Sequence, residues 1–492
     1  MSFDPAARLS RRRFMHLAVG GAASGAAAAA IGGLSLISCG EPASGPELFP
    51  DARSPLPAPA NLPASGASLV PAPGAARIAP GESSAAWLFN DVSPGPTIRA
   101  RRGDQAQIRL SNHLAEPTIV HWHGAIVPEE ADGHPRDAIQ AGASIDYRFP
   151  IIQRAGTLWY HPHPHGRTAP QMHRGLAGFF IISDAEEDAL GLPSGTREIL
   201  LLLQDRDGDA TRAFDYSPTS DDLHAGILRD VPFGNGVRLP TLTVTSGRYR
   251  FRVLNASQAR VYRLGLSNGA SLSVIGNDGG LLPSAVDVDS VFLGVGERVD
   301  LLVDFSAVTV GTGLMLKSLP FEMAGTPQGS SQGLEMDLLE LVRVDGTARI
   351  DPPLPPVLSS VASLGPPASE RLFLLQSTGQ PDGHRISGRA FDMSRVDERI
   401  PLGRTERWIF ENDSTLPHPV HLHGTQFQIE SRVGGRNMVY PYEAGWKDTV
   451  LVMPLERVAV LVRFEWYRGV FPLHCHNLQH EDLGMMLNVE VT

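Results

Sequence analysis

The segment "PLHCHNLQHEDLGMM", Pro472 to Met486, holds three histidines, one cysteine and two methionines in fifteen residues. Imidazole, thiolate and thioether are ligands of transition metals. In an extended chain successive side chains point to opposite faces. Cys475 then faces one way and His474 with His476 the other, so one run of backbone can serve two metal sites. His480 lies beyond this strand and can turn back toward the thiolate, and Met485 offers a thioether.

Four histidine groups recur: His121 and His123; His161 and His163; His418, His421 and His423; His474, His476 and His480. They hold ten of the seventeen histidines. On a strand, residues i and i+2 share a face about 7 Å apart, so each His-x-His offers two imidazoles to one side. A lone His-x-His is more often two ordinary polar positions, but four such groups at the ends of repeated strands favour metal binding. With His418, the last segment gives two histidines, a thiolate and a weak axial methionine, the ligand set of a blue copper electron-transfer site. Zinc would accept the same donors but leaves the further histidines unexplained. Taken alone, Cys475 would read as a small buried hydrophobe.

Short strands must carry these residues. A chain of 492 residues with 42% apolar content exceeds what one core organises, so two or three domains are expected. Fifty glycines and forty prolines among short runs of valine, isoleucine, leucine and phenylalanine point to an all-β protein. Aligned on asparagine, "IRLSNHLAEPTIVHWHG" and "WIFENDSTLPHPVHLHG" place His121 and His123, and His421 and His423, nine and eleven residues beyond Asn112 and Asn412. A middle copy, "FRVLNASQARVYRLGLSNG", carries Asn255, and the same offsets fall on Leu264 and Leu266, so this copy reads as structural. Only the third copy can supply a thiolate site, because Thr118 stands where His418 does and Pro162 where Cys475 does. Three related β-sandwiches are expected over residues 76–185, 186–355 and 356–492, after a flexible Pro/Ala-rich linker at 40–75.

Residues 1–39 read as an export signal. "SRRRFMH" sets adjacent arginines before an alanine- and glycine-rich apolar stretch from Leu17 to Ser38, resembling a twin-arginine leader. The stretch ends in "LISC", which resembles a lipoprotein processing site with Cys39 as the lipidated residue; a plain cleavage site nearby is the alternative. Location in the periplasm or otherwise outside the cytoplasmic membrane follows, with a lipid anchor at Cys39 as one form. Cys475 is then the single thiol of the mature part, so no internal disulfide is expected. A net charge of -11 without a basic stripe argues against nucleic acid as a partner.

The histidine motifs, in this order, together with "FNDVSPGPTIRARRGD" (Phe89–Asp104) and "AGWKDTV" (Ala444–Val450), resemble the copper-binding signatures of the multicopper oxidase family, which includes laccases, bilirubin oxidases and bacterial copper efflux oxidases. The resemblance covers essentially all of the chain after the linker and is weakest in the middle domain. It implies three cupredoxin-like Greek-key sandwiches and four copper ions. His418, Cys475, His480 and Met485 would hold the type 1 copper, and His121 and His421 the type 2 copper. His123, His161, His163, His423, His474 and His476 would hold the binuclear type 3 pair. Asp132 matches the family position of an acid near the cluster, although a turn aspartate before Gly133 reads equally well locally. Glu481 could orient ligands or relay protons, as carboxylates beside metal ligands do. Asp448 reads as a structural partner, His165 as lying outside the ligand set and Met486 as core.

The activity so implied is one-electron oxidation of a donor near the type 1 site. Electrons would pass through Cys475 and the bonds of His474 and His476, and four-electron reduction would take dioxygen to water. "HEDLGMM", "HGTQF" and "GWKDTV" resemble the bacterial copper efflux type, whose members oxidise cuprous ion as well as phenols. That subgroup often carries a methionine-rich insert, whereas Met323, Met336 and Met393 are scattered here. Laccase-like oxidation of phenols and aromatic amines is therefore expected, with Cu(I) as the alternative donor. Some exported proteins of this fold have lost their coppers and act as cell-envelope scaffolds, but all twelve expected ligands are present here.

Overall fold

The computed structural model describes residues 53–325, 331–378 and 383–492. The arginine pair, the apolar stretch and Cys39 lie outside the described residues. The expected all-β architecture is the one adopted, with only short helices between the strands. Period-two burial makes the sheets. In Gln105–Ser111, Ala106, Ile108 and Leu110 point inward while Gln105, Gln107 and Arg109 face solvent. Gly156–Pro162 is buried at every position, because both of its faces are covered.

In the first sandwich, the strands Asn61–Pro63, Gly95–Arg101, Gly178–Ser183, Gly156–Pro162 and Val120–His123 form one sheet in that spatial order. It packs on Ser65–Leu69, Gln105–Ser111 and Ser144–Pro150 over a core that includes Ile98, Ile108, Trp122, Tyr147 and Phe180. The middle part builds seven- and five-stranded sheets around Leu201, Phe251, Leu264, Leu301 and Leu339. In the third, Glu398–Ile400, Met486–Val491, Gly469–Cys475, His418–Leu422 and Thr449–Val452 form a sheet. Cys475 and Met485 join Trp408, Phe410 and Phe471 in its core.

Two expectations need correction. The stretch at 40–75 is not a flexible linker over its described part. Asn61–Pro63 pairs in parallel with Gly95–Arg101, Ser65–Leu69 pairs with Gln105–Ser111, and Pro71–Ala79 forms a hairpin with Glu82–Phe89. Its prolines are tolerated because these are edge strands, where a missing N–H costs no ladder bond. Its small residues hide a buried alternation, with Ala64, Ala67 and Leu69 all inside.

The second correction concerns register. The side chains of Asn112, Asn255 and Asn412 play one role: each accepts from the backbone N–H two residues on. Each amide also donates to a carbonyl across the turn, that of Glu116, Arg260 or Leu416. That carbonyl lies four residues on in the outer copies and five in the middle one. The middle turn thus holds one extra residue, and the counterparts of His121 and His123 are Gly265 and Ser267, not Leu264 and Leu266. A slip of one residue moves every side chain to the other face. The pairing agrees, since Thr118 faces Ile139, Tyr262 faces Leu293 and His418 faces Val452.

Candidate metal centres

Antiparallel register brings the histidines together. His121 lies opposite His161 on the Val120–His123 and Gly156–Pro162 strands, and His421 lies opposite His474 on His418–Leu422 and Gly469–Cys475. Directly opposed residues share a face. The two ladders meet, and His121, His123, His161, His163, His421, His423, His474 and His476 are all at most 1% exposed.

Their nitrogens converge in groups. His474 Nε2 lies 3.1 Å from His423 Nε2 and 3.4 Å from His163 Nε2. His121 Nε2 and His421 Nε2 are 3.2 Å apart. His121, His123 and His161 form a further group with ligand atoms within 4.8 Å of one another. The His476 ring lies 4.9 Å from that of His123 and 5.2 Å from that of His161.

Hydrogen bonds on the outer edges fix which nitrogen faces inward. The Nδ1–H groups of His121, His421 and His161 donate to the carbonyls of Asp132, Asp448 and Pro162 at 2.7, 2.9 and 2.9 Å. Their Nε2 atoms are left as lone-pair donors. His123 is reversed: its Nε2 meets Asp448 Oδ1 at 3.1 Å and Thr449 Oγ1 at 2.9 Å, leaving Nδ1 inward. His123 Nδ1, His161 Nε2 and both nitrogens of His476 have no hydrogen-bond partner among the described residues. An unpaired buried polar atom costs about 1–3 kcal/mol, so a group of them calls for a ligand, and metal ions suit neutral imidazoles. Burial depresses His161 to about 4 and His163 to about 3, below the ordinary imidazole value, which keeps these two neutral near pH 7.

The second centre is a triad. His418 Nδ1 lies 3.4 Å from Cys475 Sγ and 3.2 Å from His480 Nδ1, and His480 Nδ1 lies 3.7 Å from the sulfur. Ser414 Oγ holds His418 Nε2 at 2.9 Å, and the His224 carbonyl accepts from His480 Nε2 at 2.9 Å. Met485 is fully buried in the same core, and its carbonyl accepts from the Cys475 N–H at 3.0 Å. Burial pushes the Cys475 thiol well up. A cation bound there must therefore displace the thiol proton.

Asp132 is fully buried, and its Oδ2 accepts from His423 Nδ1 at 2.8 Å while its carbonyl holds His121. Glu481 lies 3.2 Å from His474 Nδ1 and 3.6 Å from His163 Nε2. Burial works to raise its pKa, but the neighbouring histidines outweigh burial and hold it low. Asp448 contacts two of the clustered histidines, a larger role than its motif indicated. Although its carboxylate is near enough to His123 and His421 to count as a ligand, Arg298 engages both of its oxygens. We therefore read it as an acceptor. His165 is exposed and stacks edge-on against Phe391.

Sequence reasoning missed Arg298, Ser414, His224 and His384. His384 is buried and stacks on His480, with ring centroids 3.9 Å apart, and His224 lies 5.7 Å beyond it. The helix Ser220–Ala225 and this ring thus cover the outer edge of His480. The only local signal was a charged residue opening the apolar strand "RVDLLVD".

Three multicopper oxidase family models match residues 73–187, 203–328 and 365–492. A laccase of Bacillus stratosphericus is 32% identical over 467 residues, covering 82% of this chain and 90% of the laccase. The cell division protein FtsP of Sodalis glossinidius is 34% identical over 406 residues, covering 80% and 81%. The crystal structure of McoA multicopper oxidase from Aquifex aeolicus superposes with a TM-score of 0.82 at 32% identity, covering 90% of this chain and all of that one. Matches of this extent, on a chain that brings eight histidines and a Cys–His triad together, mean that it belongs to the multicopper oxidase family.

Proposed function

We propose that this chain is a laccase-like oxidase with four coppers, and that phenols and aromatic amines are its donors. Membership of the family makes it a copper-dependent oxidoreductase that uses dioxygen and a donor substrate. The observation that carries the finer reading is one strand end. His474 and His476 turn into the histidine cluster while Cys475, between them, turns into the triad. A donor centre and an oxygen-reducing centre are thereby joined by three consecutive residues.

His418, Cys475, His480 and Met485 would hold a type 1 copper, and His121 and His421 a type 2 copper. His163, His423 and His474 would hold one type 3 copper, and His123, His161 and His476 the other. When bound, these ions supply storage for the four electrons that one dioxygen takes up with four protons to give two waters.

The chain's own residues do the rest. Carbonyls and carboxylates on the outer edges of the rings hold His121, His123, His161, His421 and His423 in their ligating tautomers. Complete burial keeps both sets of candidate ligands out of contact with bulk solvent. Glu481, between His163 and His474, and Asp132, beside His423, are the carboxylates placed to hold or pass the protons that water formation needs. The covalent path from Cys475 into His474 and His476 carries electrons between centres.

Met323, Met336 and Met393 are scattered along the sequence and "ENDSTLPHP", which leads into the third histidine group, holds no methionine, which favours organic donors over a cuprous one. The full ligand set favours an enzyme over a copper-free scaffold. The arginine pair and apolar stretch before Cys39 support export by the twin-arginine route, with lipidation of Cys39 as the anchored form. Oxygen uptake by the copper-loaded chain, measured with a dimethoxyphenol and with Cu(I), tests the reading. Turnover far higher with Cu(I) than with any phenol would reverse the donor order, and no uptake with either would end it.

A further inference from the structure

The middle sandwich carries none of the twelve expected copper ligands, yet its turn between Val291–Leu293 and Arg298–Asp304 reaches the histidine cluster. At Gly296, φ is +83°, and a Cβ would lie 3.0 Å from His123 Cε1 and 3.0 Å from His476 Cδ2. Only a residue without a side chain lets the backbone lie against both rings. Two residues on, Arg298 is fully buried. It donates to the carbonyls of Thr157, Gly296 and Asp278, and its two terminal nitrogens engage the two Asp448 oxygens. One guanidinium therefore ties the first sandwich to the middle turn and to the strand that follows the third copy's histidines. Lys447 closes the same network through Asp278 at 2.8 Å and Glu297 at 3.2 Å.

We infer that this turn is a positioning element for the histidine cluster, in which Arg298 acts through Asp448 to keep His123 Nδ1 and His421 Nε2 turned inward. The inference rests on the reading of those histidines as copper ligands. A planar guanidinium pairs both carboxylate oxygens at once and fixes the carboxylate plane, which a point charge does not. With that plane fixed, Asp448 Oδ1 accepts from His123 Nε2, and its carbonyl accepts from His421 Nδ1. Without the guanidinium, the buried Asp448 carboxylate loses the pair of hydrogen bonds that fixes its plane and can rotate. Rotation frees the His123 ring to present the wrong nitrogen.

The test uses the full copper-loaded chain and four variants: Arg298→Gln, Arg298→Lys, Gly296→Ala and Arg260→Gln. The last removes an equally buried arginine of the middle part, paired with Asp205 and away from the cluster. Copper content after dialysis against a graded chelator, the type 2 EPR signal and the visible thiolate–copper band are read for each. Arg298→Gln and Gly296→Ala are expected to weaken retention of the cluster coppers about tenfold or more and to change the EPR signal, while the thiolate band persists. Arg298→Lys should recover part of the loss, and Arg260→Gln should match wild type. Wild-type EPR and retention in both Arg298→Gln and Gly296→Ala would overturn the inference, as would an equal loss in Arg260→Gln. If Arg298→Gln does not accumulate folded, Gly296→Ala decides. A wild-type chain that holds no cluster copper would instead overturn the functional reading, and this one with it.

Discussion

The Nδ1 atom of His418 lies 3.4 Å from Cys475 Sγ, although 57 residues separate them in the chain. Val420 pairs directly with Cys475 across the sheet, and His418 shares the face of Val420, so the ladder register alone places imidazole beside thiol. Cys475→Ser should therefore abolish the intense visible band of the copper-loaded chain and reduce phenol oxidation to background, while the type 2 EPR signal remains. A band that survives the substitution would rule out this thiolate as its source.

Asp132 holds two clustered histidines by different atoms, His423 by its carboxylate and His121 by its backbone carbonyl. Side-chain changes release only the first. Asp132→Ala leaves a buried His423 Nδ1–H unpaired and should lower copper retention about 10–100-fold, whereas Asp132→Asn keeps an acceptor and should lose much less. Metal analysis after chelator dialysis separates the two. Equal losses would mean that the carboxylate acts by charge rather than by orientation.

Glu481→Gln keeps a hydrogen-bonding side chain at His474 but removes the ionisable carboxylate. Copper content should hold, while oxygen uptake should fall on the order of 100-fold with every donor, because loss of a proton relay slows the step all donors share. A loss confined to one donor would place Glu481 in donor binding instead.

Burial holds His161 near 4, His163 near 3 and His418 near 3, all below the imidazole value of about 6.5 in an unfolded chain. In that interval the unfolded chain binds more protons than the folded one. Their contribution to stability is thus complete above about pH 6.5 and is lost as pH falls toward the folded-state values, by up to about 1.4 kcal/mol per histidine per pH unit. The melting temperature of the copper-free chain should drop between pH 7 and pH 5 and stay level above. Copper competes with protons for the same nitrogens, so the loaded chain should begin its decline at lower pH. A copper-free chain that gains stability on acidification would contradict this account.

His480 is covered by the backbone of His224 and the ring of His384, so a donor meets the helix Ser220–Ala225 before it can meet His480. His384→Ala should open that edge and raise the second-order rate at which a bulky phenol bleaches the visible band under anaerobic stopped flow, by roughly two- to tenfold, with little change for a small one. Equal rates for both phenols in both proteins would show that the cover does not limit access.

The strands announced themselves because a half-buried strand must alternate, and the histidines because imidazoles two residues apart must share a face. Both follow from a repeat of two residues and survive any tertiary arrangement. The Asn-anchored repeat was visible for the same reason, but its middle register was not, since one extra residue inside a turn leaves no local trace and still reverses every side chain after it. Pro-rich composition likewise concealed edge strands, because nothing local to residues 61–79 reveals that a neighbour supplies the other half of the ladder.

The candidate ligands were therefore legible in residue type and spacing, which are properties of the chain. Which nitrogen of His123 turns inward, how Asp448 is oriented and why Arg298 is buried were settled only when three sandwiches met, because each depends on a partner more than a hundred residues away. Coordination chemistry is written in short-range periodicity, whereas the hydrogen bonds that tune it are long-range contacts.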